Sequence, residues 1–362
     1  MNVNLENKVV EKVKYRDLKG LNYSAIKLFD ESRIDFYRQM VLGEKPVEKS
    51  SYSLQIGTLV DFALLECRAN EKEFELKFDE YYTLYTGVKG SGQDFLLADE
   101  IFKLTKRDIV DGEITTDFEY RFKEAFETLQ KDGKFKGKTW DKGLESFNKT
   151  AKEYFDSLMQ NISKEVVSLQ DLEKAKSIVN TLVTDDITKD IFKGNDDLEY
   201  LTKFVIEWKY KGFDCKSELD AILISHSDKT IQPIDLKSTY DNQSFEYNYL
   251  KFSYYLQQAF YFLAVQYWAK ENNLEDYEIL PLYFVVCDTS KNNQRPLIYK
   301  LTKEHIMEGL KGFTTELGYK YRGIEELVDE INWCNENQIW NISKENYENN
   351  GIVNLKTFNK NR

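Results

Sequence analysis

Prolines are scarce in this chain of 362 residues: there are four, with four cysteines and two histidines. So few prolines exclude long proline-rich linkers. The cysteines, Cys67, Cys215, Cys287 and Cys334, lie far apart, no CxxC occurs, and His226 and His305 are equally distant. A zinc site of the usual spacing is therefore not expected, and buried free thiols are. No apolar run approaches the roughly 20 residues that a membrane span requires. The best stretch, Ala259–Ala269, is short and contains Gln266. The polar opening MNVNLENKVVEKVKYRD has no apolar segment of a secretory signal. These absences lead us to expect a cytoplasmic protein without a membrane partner. Positive charge is also lacking: 62 acidic residues face 50 basic ones, for a net charge of −12. That counts against a protein that coats nucleic acid, because neutralising phosphates takes clustered Lys and Arg. It leaves room for an enzyme with a local basic groove, and a carboxylate-rich centre adds negative charge that metal ions offset.

Hydrophobic periodicity organises what is present. Asn22–Leu42 carries Ile26, Phe29, Phe36 and Met40 at helical spacing, with Ser24 as the expected N-cap. A second helix is expected from about Leu54 to Cys67, then a Gly-rich polar loop over Tyr81–Asp94. Residues 98–165 read as a Lys-rich helical insertion, interrupted by KDGKFKGKTWDKG at Lys131–Gly143. Ser168 then opens a helix, with Asp171 in capping-box position. The pattern changes at Lys203–Tyr210, which alternates like a strand. Phe213–Ile224 and Ile231–Ser238 follow after short turns, which predicts a three-strand antiparallel meander. A long aromatic helix over Phe245–Lys270, two strands at Tyr277–Cys287 and Pro296–Leu301, and a helical stretch from Thr302 to Cys334 complete the reading. The expected class is α/β, a mixed sheet flanked by helices with a helical elaboration, in one domain over 1–362.

Candidate chemistry concentrates in the meander. Asp235 and Lys237 are two apart in a strand and so share a face, while Ile234 and Leu236 turn into apolar packing. Asp220 lies in the preceding strand at hairpin distance. Two carboxylates a few ångströms apart repel unless a cation lies between them. Oxygen donors suit Mg²⁺, with Mn²⁺ as the alternative. A lysine beside such an ion can orient water and stabilise charge on a phosphoryl oxygen, which suits phosphodiester hydrolysis. The tripeptide alone is weak, since roughly nine acid-x-base tripeptides arise by chance in this composition. Its bland counterpart is a solvated strand edge with a surface ion pair.

Six segments in order resemble the PD-(D/E)xK nuclease superfamily in its RecB-like branch, and within it the phage and prophage exonucleases of the exodeoxyribonuclease VIII (RecE) type. NYSAIKLFDESRIDFYRQMVL is similar to the N-terminal helix of that branch, and GTLVDFALLE to its first motif. KSELDAILI carries the first acid, PIDLKST the second acid and the lysine, and YYLQQAFYFLAV a Gln-x-x-x-Tyr motif; CNENQIW is similar to a common close of the family. The resemblance covers roughly residues 20–340. It implies a restriction-endonuclease-like fold, with Asp61, Asp220, Asp235 and the backbone carbonyl of Leu236 as metal ligands. Lys237 would position the attacking water, Gln257 would hold the lysine, water or phosphate, and Tyr261 would brace it one turn on. Glu207 is a further candidate member. The first motif usually has histidine where this chain has Asp61. The cysteine set of the iron–sulfur relatives is missing, so no cluster is expected.

The implied activity is metal-dependent hydrolysis of DNA by an exonuclease resecting linear duplex ends in phage recombination or replication. The implied partner is a single-strand annealing protein, and ring-shaped homo-oligomers are common in such relatives. Two other readings stay open: a structure-specific nuclease of the same superfamily, and a catalytically inactive relative that binds DNA or protein.

Overall fold

The computed structural model describes residues 15, 18–44, 52–85, 87, 89–90, 92–110, 113–160, 162, 164–192, 198–290 and 294–353. The chain divides into two compact units, one formed by Met1–Glu66 with Ile178–Arg362 and the other by Cys67–Ser177. The second unit is wider than the helical insertion expected over 98–165.

The first unit is a mixed α/β fold, a multi-stranded sheet with many helices around it. Its strands are β1 (Leu198–Tyr210), β2 (Phe213–Ser225), β3 (Thr230–Thr239), β4 (Glu278–Ile279), β5 (Tyr283–Asp288) and β6 (Leu297–Lys300). The order across the sheet is β6-β5-β3-β2-β1, with β4 also pairing β3. The predicted meander is present: β1, β2 and β3 run antiparallel through turns at Lys211-Gly212 and 226–229. Gly212 (φ +88) and Lys211 (φ 45) supply the left-handed pair that a two-residue hairpin turn needs. β5 pairs β3 in parallel, and β6 returns antiparallel to β5. The expected strand at Tyr277–Cys287 is divided, with 280–282 outside β4 and β5. Pro281, which lacks an N–H for the ladder, lies in that gap.

The helices beside this sheet are α1 (Tyr23–Glu31), α2 (Tyr52–Asp61), α3 (Tyr254–Glu271), α4 (Lys303–Lys311) and α5 (Ile324–Asn337). Asn22, not Ser24, caps α1: its side chain accepts from the Ala25 N–H at 2.8 Å. The single helix expected over Asn22–Leu42 is broken at Ser32, which is extended (φ −157) and caps a new turn through the Asp35 N–H. A π turn, Phe62–Glu66, continues α2. The long aromatic helix is also two pieces, because Ser253 adopts φ 56 between Phe245–Lys251 and α3. Of the aromatic side chains along these pieces, Tyr255 and Phe260 are core, whereas Phe252 is exposed.

The core packs Ile26 and Phe29 of α1, Leu256 and Phe260 of α3, and Leu327 and Ile331 of α5 with Ile206, Leu219 and Ile222 of the sheet. Burying such side chains is worth about 1.5–3 kcal/mol each. One charged network and one glycine fix the helices. Glu330, on α5, accepts both Nε and Nη2 of Arg33 (3.0 and 3.1 Å) and pairs with Arg322, which also holds Asp30 of α1. Gly309 on α4 permits close approach to α3: a Cβ there would lie 2.2 Å from the Tyr255 carbonyl oxygen. The CNENQIW segment ends in Trp340, whose ring stacks on Phe36 and Tyr37 at 5.8 and 5.2 Å.

The second unit has helices over Gln93–Arg107, Phe118–Lys131, Trp140–Thr150 and Lys152–Gln160 around a phenylalanine-rich core. The loop expected over Tyr81–Asp94 contains a strand instead: Tyr82–Tyr85 pairs in parallel with Glu165–Ser168. Within Lys131–Gly143, Phe135 (φ 48) is buried in that core, so one aromatic side chain anchors the lysine-rich loop. Ser168 caps Leu169–Thr184 as expected, accepting from the Asp171 N–H at 3.1 Å. All four cysteines are buried. Among the described residues no helix is long and apolar enough to cross a membrane.

Candidate active site

The site forms where the meander forks. β2 and β3 pair backbone to backbone from Ser225↔Thr230 to Ala221↔Ile234. One step further, Asp220 would stand opposite Asp235. Instead the Asp220 side chain enters the gap, and its Oδ2 accepts the Leu236 N–H at 2.8 Å. A carboxylate thus replaces a ladder partner, leaving Asp220 on one arm of the fork and Asp235 with Lys237 on the other. Beyond the fork β3 stays anchored by β5, with Asp235↔Phe284 and Lys237↔Val286 in register.

Asp235 and Lys237 share a face as their spacing requires. Asp235 is 2% exposed. Its Oδ2 lies 2.5 Å from Lys237 Nζ as an ion pair without a well-directed hydrogen bond. Its Oδ1 accepts from Gln257 Nε2 at 2.7 Å. Gln257 also donates to the Tyr261 hydroxyl at 3.2 Å, and that hydroxyl donates to the Glu218 carbonyl at 2.9 Å. The Gln-x-x-x-Tyr spacing puts both side chains on one face of α3, and together they tie the second acid to the strand bearing the first. The Lys237 ammonium lies over the rings of Tyr254 (4.7 Å) and Phe284 (5.8 Å), which hold it by cation–π attraction.

Asp61 closes the group from α2. Gly57, one turn earlier, sits against β3: a Cβ there would lie 2.3 Å from Ser238 Oγ. That approach gives the Gly-Thr motif a physical reason. Asp61 does not touch Asp220 directly. Between them stands Lys203 of β1, whose Nζ lies 3.0 Å from Asp61 Oδ2 and 2.9 Å from Asp220 Oδ1. Lys203 has φ 46, a left-handed backbone within a strand.

Electrostatics follow from this packing. Burial raises the Asp235 carboxyl above the ordinary carboxylate range, and the attraction of Lys237 only partly opposes it. Burial, with repulsion from Asp220, raises Asp61 in the same direction. Burial disfavours the charged forms of Lys203 and Lys237, but the adjacent carboxylates outweigh it and keep both ammonium groups protonated.

Of the residues singled out in the sequence, Asp61, Asp220, Asp235, Lys237, Gln257 and Tyr261 are thus joined through Lys203 and the Leu236 backbone. Glu207 is not joined to them: it is exposed, opposite Lys216 in the register. Lys203 and Tyr254 escaped the sequence reading. Lys203 was within reach, since a turn at Lys211-Gly212 that pairs Tyr210 with Phe213 counts back to Lys203 beside Asp220.

The donors suit a hard divalent cation: three carboxylates, one with a buried oxygen that lacks a directed hydrogen bond. Among the described residues no three His, Cys, Asp or Glu side chains already converge as a ligand set. The Lys203 ammonium supplies positive charge between Asp61 and Asp220. No protein-family model matches this chain, and no curated protein matches it.

Proposed function

We propose that this protein is a metal-dependent deoxyribonuclease with a restriction-endonuclease-like fold. The observation that carries the reading is the forked strand pair, with Asp220 bonded to the Leu236 N–H and Asp235 paired with Lys237. An acid on each arm and a lysine beside one of them are the parts that metal-assisted phosphodiester hydrolysis needs.

Asp220 and Asp235 would hold Mg²⁺ or Mn²⁺, with Asp61 and the Leu236 carbonyl as further oxygen donors. When bound, the ion supplies Lewis acidity toward the phosphodiester and neutralises its charge. Lys237, held by two aromatic rings, is directed to the attacking water or to charge on a phosphoryl oxygen. Gln257 fixes Asp235 through Oδ1, and Tyr261 fixes Gln257. The substrate and partner rest on the resemblance: resection of linear duplex ends by a cytoplasmic exonuclease, with a single-strand annealing protein as partner and a homo-oligomer as the working form.

One observation favours a second reading. Lys203 already neutralises two of the acids, as it would in a relative that binds DNA without cutting it. Digestion of linear, closed-circular and single-stranded DNA, with Mg²⁺ or with EDTA, separates the two. Loss of linear duplex alone, dependent on the ion and abolished in Lys237→Ala, is the expected result. No digestion by the wild type with either Mg²⁺ or Mn²⁺ would establish the binding reading instead.

A further inference from the structure

Lys203 requires a reason of its own. It is a non-glycine residue in the left-handed region, in the middle of a strand whose neighbours Thr202 and Phe204 pair normally with Ala221 and Leu219. Such a conformation is costly for a side chain with a Cβ, and persists only where the surroundings hold it. What holds it is the ammonium: 3.0 Å from Asp61, 2.9 Å from Asp220, with the side chain 18% exposed. The other charged groups of the site are Asp235 and Lys237, which neutralise each other. Without Lys203, Asp61 and Asp220 would face each other with no countercharge.

We propose that Lys203 is a resident cation that competes with the catalytic metal. In the metal-free protein its ammonium keeps the acids assembled. A divalent ion that takes Asp61 and Asp220 as ligands must release them from Lys203, whose Nζ then turns to solvent. The proposal rests on the metal-dependent reading given above. It adds that metal affinity is set partly by a lysine outside the ligand set, so that the site stays folded when metal is scarce.

Two measurements test this, neither of which reads activity. Calorimetric titration of the full chain with Mn²⁺ compares wild type, Lys203→Met and Lys203→Arg. The Met variant is expected to bind on the order of tenfold more tightly and to melt at a lower temperature in EDTA, with the deficit recovered by Mn²⁺. The Arg variant, which keeps the charge, is expected to stay close to wild type in both. Binding of Mn²⁺ by wild type and Lys203→Met with equal affinity would overturn the proposal while leaving the metal-dependent reading intact. Absence of Mn²⁺ binding in every form would overturn both. Should Lys203→Met fail to fold, lysine acetylation of the wild type, read by mass spectrometry, decides. Lys203 is expected to be protected in EDTA and reactive in saturating Mg²⁺, and protection unchanged by bound Mg²⁺ would overturn the proposal.

Discussion

The Asp220 carboxylate accepts the Leu236 backbone N–H at 2.8 Å, one step past the last paired residues of β2 and β3. Asp220 therefore has a structural task that an asparagine can share and an alanine cannot. Asp220→Ala leaves a buried N–H without its acceptor, a loss of about 1–3 kcal/mol. Asp220→Asn keeps an acceptor and retains more of the stability, yet loses the charge a metal needs. Denaturant unfolding beside Mn²⁺ titration should show the Asn variant better folded than the Ala variant and both impaired in binding.

Gln257 touches Asp235, not the lysine or a free face of the site. Residues that orient a ligating carboxylate typically matter by about 10–100-fold in affinity or activity. Gln257→Leu should therefore weaken Mn²⁺ binding on that scale. Tyr261→Phe, which removes the link to the Glu218 carbonyl and the hydroxyl that accepts from Gln257 but leaves the Gln257–Asp235 bond, should cost about 1 kcal/mol of stability and affect binding less. Equal effects of the two substitutions on affinity would contradict this order.

Proton linkage gives a pH signature. Burial raises Asp61 and Asp235, so these carboxyls hold protons beyond the pH at which ordinary carboxylates have ionised. A metal binds the ionised forms, so Mn²⁺ affinity should keep climbing with pH past about pH 4–5. Titration in two buffers of different ionisation enthalpy should detect net proton release. In the metal-free chain the fold binds these protons more tightly than the unfolded chain does. That share of stability is present at acid pH and is lost as pH rises through the raised values.

Glu330 should behave in the opposite sense. Burial works against its ionised form, but Arg33, the Lys344 N–H and Arg322 outweigh burial and hold its carboxyl below the ordinary range. Its contribution is present above the unfolded value and is lost as pH falls through the depressed one. Glu330→Gln leaves two arginines short of charge, a loss of about 3–5 kcal/mol at neutral pH. The deficit should shrink toward acid pH when melting is followed across the range.

Gly309→Ala tests the contact between α3 and α4. The added methyl would meet the Tyr255 carbonyl and the Ala259 Cβ, and backbone cannot swing aside as a flexible side chain can. A destabilisation of about 1–3 kcal/mol is expected in denaturant unfolding. A neutral result would mean that the helices separate at little cost.

What was legible in the sequence follows from how local each signal is. The meander was visible because its turns are short and its strands alternate, and the register that brings Asp220 toward Asp235 follows from the same count. Gln257 and Tyr261 were visible through helical spacing. The breaks at Ser32 and Ser253 were not, because each turns on one residue leaving helical geometry inside an apolar pattern that continues past it. The parallel pairing of Tyr82 with Glu165 had no local signal at all, since its partners are joined by four helices. Lys203 carries no local signal, because it stands 17 residues before Asp220 and reaches it only through the register of β1 and β2.

β1 is the outermost strand, 13 residues long, and no described strand pairs with its far side. An edge of that length is a template on which a second chain can add, the first step toward aggregation. The left-handed backbone at Lys203 interrupts the row of N–H and C=O groups, and Glu207 and Lys209 place charge along the remainder. A flat, continuous edge strand would let copies of the protein zip together, and the kink at 203 denies them that register.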